Sequence, residues 1–89
     1  MKTSEAWTLF EESGFFSWMR HRLEKAEQKY REQRLRDLGY LDLVKHLKEE
    51  IIELREALEN GDNFDKVNEL ADVANMCGFV YAKIKQLNE

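Results

Sequence analysis

Residues 48–75 read KEEIIELREALENGDNFDKVNELADVAN, and the organisation of the chain follows from this stretch. Leu47, Ile51, Leu54 and Leu58 recur at steps of three and four, the period of a helix with one buried stripe. Asn60-Gly61-Asp62-Asn63 then interrupts the run with residues that favour turns over helix. A second periodic run follows, placing Val67, Leu70, Ala74, Cys77, Tyr81 and Ile84 on one stripe. So short a link permits only an antiparallel return, and the spacing predicts a helical hairpin over 40–59 and 64–87.

Upstream, Gly39 separates the hairpin from Phe16, Met19, Leu23, Ala26 and Tyr30, whose spacing predicts a helix over 15–38. Residues 1–14 form a short aromatic segment, with Thr3 and Ser4 as caps, Trp7, Leu9 and Phe10 as its apolar side, and Ser13-Gly14 as its end. The expectation is one all-α domain over 1–89. Met76, Phe79 and Val80 carry apolar surface beyond the stripe of the last helix, which predicts a second buried face. A homo-oligomer, dimer or tetramer, would complete a four-helix-bundle-like core. The small residues Ala71, Ala74 and Gly78 would admit another backbone, or pack equally well within one chain.

A chain of 89 residues buries only a modest core, and one with no proline and four glycines favours long helices over turn-rich β structure. Its formal net charge of −4 supplies no field to attract nucleic acid or an anionic membrane. An acidic protein that handled phosphates would need metal cations. Cys77 is the single cysteine, which excludes an intramolecular disulfide and suits a reducing compartment. No apolar run approaches a membrane span, and Met1 to Ser4 lack the start of a secretory signal, so a soluble cytoplasmic protein is expected.

Four carboxylates stand out by position. Glu50 and Glu53 lie three apart on one helix of the hairpin, Glu69 and Asp72 three apart on the other, and Gly61 is midway between both cross-helix pairs. At about 1.5 Å of rise per residue, Glu53 stands opposite Glu69 and Glu50 opposite Asp72, roughly 12 to 16 Å from the turn. Acidic pairs at this spacing are common on solvated faces; two pairs at matching distances from one turn are not. Clustered anions repel, and a hard cation such as Mg²⁺, with Mn²⁺ as a substitute, would relieve the repulsion. The softer ligands of a zinc or copper site are missing, and neither His21 nor His46 belongs to a Glu-x-x-His motif of the di-iron type.

Glu49-Glu50-x-x-Glu53 followed by Glu69-x-x-Asp72 resembles the metal motif of MazG-like nucleoside triphosphate pyrophosphatases. The surrounding runs His46-Leu47-Lys48, Glu53-Leu54-Arg55-Glu56-Ala57-Leu58 and Asp72-Val73-Ala74-Asn75 extend the likeness over about residues 40–84. The resemblance implies an oligomeric helical bundle that hydrolyses a nucleoside triphosphate between its α and β phosphates, with Mg²⁺ on Glu50, Glu53, Glu69 and Asp72. A carboxylate would accept the proton of the attacking water, Glu53 and Glu49 being the candidates left unranked. Asn75 shares the face of Asp72 and could orient phosphate or sugar, or serve a structural hydrogen bond.

Lys29, Arg34, Lys45, Lys48 and Lys83 are available for the polyphosphate, Lys83 resembling a basic position late in the family's last helix. Trp18, Trp7, Phe10 and Tyr40 could stack on a base or pack in the core. The competing reading is a non-catalytic helical interaction module whose acidic flank meets a partner. It predicts no magnesium requirement and leaves the matched acidic pairs without a reason.

Overall fold

The computed structural model describes residues 2–29 and 35–87, with the side chains of Lys29 and Arg36 left out. It is all-α: α1 spans Thr3–Glu12, α2 Phe15–Lys29, α3 Tyr40–Asn60 and α4 Asn63–Leu87, and there is no strand among the described residues. α3 and α4 form the hairpin and share the most extensive contact, α2 packs on α4, and α1 packs on α2. The side-chain roles considered for Lys29, Tyr30 and Arg34 lie outside what is described.

The turn of the hairpin is tighter than the composition suggests. Gly61 ends α3, its N–H donating to the carbonyl of Ala57 at 2.8 Å. A Cβ at Gly61 would lie 2.8 Å from that same carbonyl oxygen and 3.0 Å from the Cβ of Asp65, so crowding rather than an unusual φ requires glycine here. Asp62 starts α4: its Oδ1 accepts the N–H of Asp65 at 2.8 Å, the bond that satisfies a free donor of a helix's first turn. Gly14, with φ of +81°, makes the other sharp corner, between α1 and α2. There Trp7, Phe10, Phe15 and Phe16 meet edge to face or tilted, with centroids 5.4 to 6.4 Å apart.

Three expectations are corrected. The helix expected over 15–38 is not one α-helix throughout, because Leu35–Asp37 is a 3-10 turn. Its tighter winding brings Leu35 into the core beside Leu43 and Met76, with Ala26, Leu38 and Leu47 around them. At the N-terminus, Thr3 already lies inside α1, and Lys2 precedes it without a side-chain cap. The third correction concerns α4, where Val67, Leu70, Tyr81 and Ile84 are exposed while Asn68, Ala71 and Met76 are buried. The face anticipated as the second one is thus the intrachain face, and the main periodic stripe looks outward.

The same rotation holds for α3. Leu43, Leu47, Glu50, Leu54 and Ala57, at steps of four, three, four and three, are buried or half-buried, with Val44 and His46 half-buried beside them, while Ile51 and Leu58 are exposed. Glu50 therefore lies within the packing stripe and not at its margin. This position decides the chemistry of the site.

Candidate metal centre

Two bonds of equal sequence offset fix α2 on α4. Trp18 Nε1 donates to Asn68 Oδ1 at 3.0 Å, and one turn further along both helices Arg22 bonds Asp72. The offset is fifty residues in each case, so α2 and α4 run parallel, with α3 antiparallel to α4. Asn75 Nδ2 adds a third tie to the carbonyl of Met19 at 2.8 Å. These bonds bring Asp72 and Asn75 beneath α2, while the hairpin carries Glu50 toward Glu69 from the other side.

One carboxylate oxygen from each of Glu50, Glu69 and Asp72 falls within 4.8 Å of the others. Glu50 Oε2 and Glu69 Oε2 are shut off from solvent and have no hydrogen-bond partner. A buried oxygen in that condition costs free energy, more so when it is charged. Burial is the largest influence on the Glu50 carboxyl, followed by the charges of Glu53, Asp72 and Glu69 and a hydrogen bond with Glu53, and together they push it up to about 8. Glu69 is raised by burial and by the charges of Asp72 and Glu53, with the charge of Arg22 among the opposing influences. Without a cation Glu50 and Glu69 hold their protons to higher pH than isolated carboxylates do. Three convergent carboxylates, two of which also carry a buried, unpartnered oxygen, fit a divalent cation of the magnesium type.

Arg22 spans Asp72 with its fork, Nε to Oδ1 at 3.0 Å and Nη2 to Oδ2 at 2.8 Å. The bond to Asp72 raises the arginine further above its ordinary value, burial opposing and the charges of Asp72, Glu69 and Glu50 assisting. Arg22 was not among the expected site residues. Its signal was its place on α2, four residues after Trp18 and four before Ala26, a cation inside an apolar face.

The other expected residues separate. Glu53 is exposed and outside the trio, yet close enough for its charge to act on Glu50 and Glu69. Glu49 points elsewhere, half-exposed and 3.5 Å from His46 Nδ1. Asn75 makes the structural bond to Met19 and also lines a cavity of about 220 Å³, together with Arg22, Lys25, His46, Glu50 and Asp72. Leu23, Ala26, Leu35 and Met76 supply its apolar wall. Trp18 stacks on His21 at 4.9 Å and lines a different hollow, with Phe15, Val67 and Leu70. Lys83, half-buried, lies three turns beyond Asp72 on α4 and does not line the cavity. His46, set aside as a metal ligand, does line it, one turn before Glu50.

The fold and the site define an all-α protein with a carboxylate trio at the join of a helical hairpin and a third helix. Residues 13–86 match the phosphoribosyl-ATP pyrophosphohydrolase family, and the chain belongs to that family. It is thereby placed among hydrolases that act on a nucleotide phosphoanhydride with a divalent metal, in the same superfamily as the MazG-like proteins. No curated protein and no solved structure matches the chain. Among the described residues, no helix is long and apolar enough to cross a membrane.

Proposed function

We propose that the chain hydrolyses a nucleoside triphosphate, ribo or deoxyribo, between its α and β phosphates, releasing the monophosphate and pyrophosphate. The observation that carries this reading is the pair of solvent-shielded, unpartnered oxygens, Glu50 Oε2 and Glu69 Oε2, beside Asp72. Glu50, Glu69 and Asp72 would hold Mg²⁺, for which Mn²⁺ can substitute, with Glu53 completing the set from the solvent side. A divalent cation held there cancels charge on the anhydride oxygens and makes a water more acidic.

The chain's own residues do the rest. Glu53, exposed at the edge of the trio, accepts the proton of the attacking water, a role for which Glu49 is turned away toward His46. The cavity beside Asp72 has apolar walls for a base or ribose and polar groups, Arg22, Lys25 and Asn75, for the phosphates. Trp18 serves packing rather than base stacking.

Membership of the phosphoribosyl-ATP pyrophosphohydrolase family favours a second substrate of the same anhydride chemistry, phosphoribosyl-ATP. Incubation with Mg²⁺ and a panel containing nucleoside triphosphates, deoxynucleoside triphosphates and phosphoribosyl-ATP, with pyrophosphate and orthophosphate followed separately, distinguishes these readings. Pyrophosphate with a nucleoside monophosphate supports the proposal, and pyrophosphate from phosphoribosyl-ATP alone favours the second substrate. Orthophosphate with a diphosphate contradicts both, and absence of turnover together with absence of metal binding leaves the interaction module.

A further inference from the structure

Arg22 places one positive charge against the carboxylate trio, and its two donors engage both oxygens of Asp72. The pair is largely withdrawn from solvent, with side-chain exposures of 25% and 18%. Glu50 and Glu69 each retain an oxygen that nothing satisfies. The arginine thus neutralises one member of the trio and leaves the other two facing each other. A divalent cation bound by all three must share Asp72 with a guanidinium of like charge.

We propose that Arg22 is a displaceable counter-cation: a divalent metal drives it off Asp72, and the freed guanidinium takes oxygens of the nucleotide's polyphosphate. The inference rests on the proposed metal centre and adds a coupling between metal and nucleotide. A guanidinium fork matches phosphate as well as it matches carboxylate, so the same donors serve both partners. Arg22 already lines the cavity beside Asp72, where the polyphosphate would lie.

The attachment of α2 survives that displacement. Trp18 to Asn68 at 3.0 Å and Asn75 to the carbonyl of Met19 at 2.8 Å are independent of the Arg22 side chain. The helix therefore stays docked while its arginine changes partner. Metal binding then raises affinity for nucleotide by releasing the group that binds it, and nucleotide raises affinity for metal by the same factor.

Calorimetric titration of the full chain with Mn²⁺ tests the proposal without reference to turnover. Wild type must bind Mn²⁺; if it does not, the metal-centre reading falls, and the counter-cation with it. Given that binding, Arg22→Gln is expected to hold Mn²⁺ about fivefold more tightly, or better, and α,β-methylene-ATP in the presence of Mn²⁺ about fivefold more weakly, or worse. Arg22→Lys keeps the charge but loses the fork and should shift both affinities in the same directions, which serves if the glutamine variant does not fold. Mn²⁺ affinity that is unchanged or lowered in the folded variant would make Arg22 a fixed support for Asp72 and overturn the proposal while leaving the metal centre intact.

Discussion

The indole Nε1 of Trp18 donates to Oδ1 of Asn68 at 3.0 Å, joining α2 to the most deeply set polar residue of α4. Asn68 is 8% exposed, so its carbonyl has no ready substitute in water for that donor. Trp18→Phe keeps an aromatic ring, though a smaller one, and removes the N–H, and is expected to cost at least about 1–2 kcal/mol of stability by urea denaturation. Nucleotide KM should change little. A large rise in KM with stability intact would return Trp18 to a base-stacking role.

Gly61 and Asp62 make the turn that sets Glu50 against Asp72. Gly61→Ala forces a methyl onto the Ala57 carbonyl and should cost about 1–3 kcal/mol through overpacking. Asp62→Ala removes the acceptor of the Asp65 N–H and should cost about 1 kcal/mol. Thermal melts of both variants check the ranking, and an alanine at position 61 tolerated without loss would contradict the crowding argument.

Glu53 and Glu49 should differ sharply in turnover. Glu53→Gln removes the proposed proton acceptor and is expected to lower kcat by about a hundredfold or more. Glu49→Gln loses only an exposed pair with His46 and should stay within about threefold of wild type. Steady-state kinetics on the preferred nucleotide measures both, and the reverse ranking would exchange their roles.

The carboxylate trio predicts a pH dependence for the metal-free protein. Glu50 is pushed from 4.5 up to about 8, and Glu69 is also raised. The folded chain thus holds protons that the unfolded chain gives up above the ordinary carboxylate range. For these groups the stability is present below their unfolded values and is lost as pH rises through the folded ones. In chelator the melting temperature should fall between about pH 5 and pH 8, and either Mg²⁺ or Glu50→Gln should flatten that fall. A melting temperature that climbs over the interval in chelator would rule out raised Glu50 and Glu69 carboxyls.

The outward stripe of α4, with Tyr81 at 68% and Ile84 at 39% exposure, is where the homo-oligomer expected from the sequence would associate. Tyr81→Asp combined with Ile84→Asp should lower the mass measured by light scattering while the helical signal in circular dichroism persists. A monomeric wild type would remove the association reading and leave the hairpin unaffected.

Element boundaries were legible wherever the cause was local. Asn60 to Asn63 announce a turn through their own backbone preferences, and the period of three and four identifies α3 and α4 without any knowledge of neighbours. Glu50, Glu69 and Asp72 were legible for the same reason, because two helices joined by a short turn must align residues equidistant from it. The 3-10 winding at Leu35 was not, since it answers to the Leu43 and Met76 side chains it packs against.

What the sequence by itself determined is the hairpin, its all-helical class and the level at which Glu50, Glu69 and Asp72 meet. Only the tertiary structure decided which apolar face turns inward, because α4 is apolar over too much of its circumference for periodicity to choose. That choice followed from α2, whose Trp18, Arg22 and Met19 find polar partners on Asn68, Asp72 and Asn75. A buried polar group must find a bond, and satisfying these three rotated α4, buried Glu50 within the packing stripe, left Glu53 in solvent and brought a cation to Asp72.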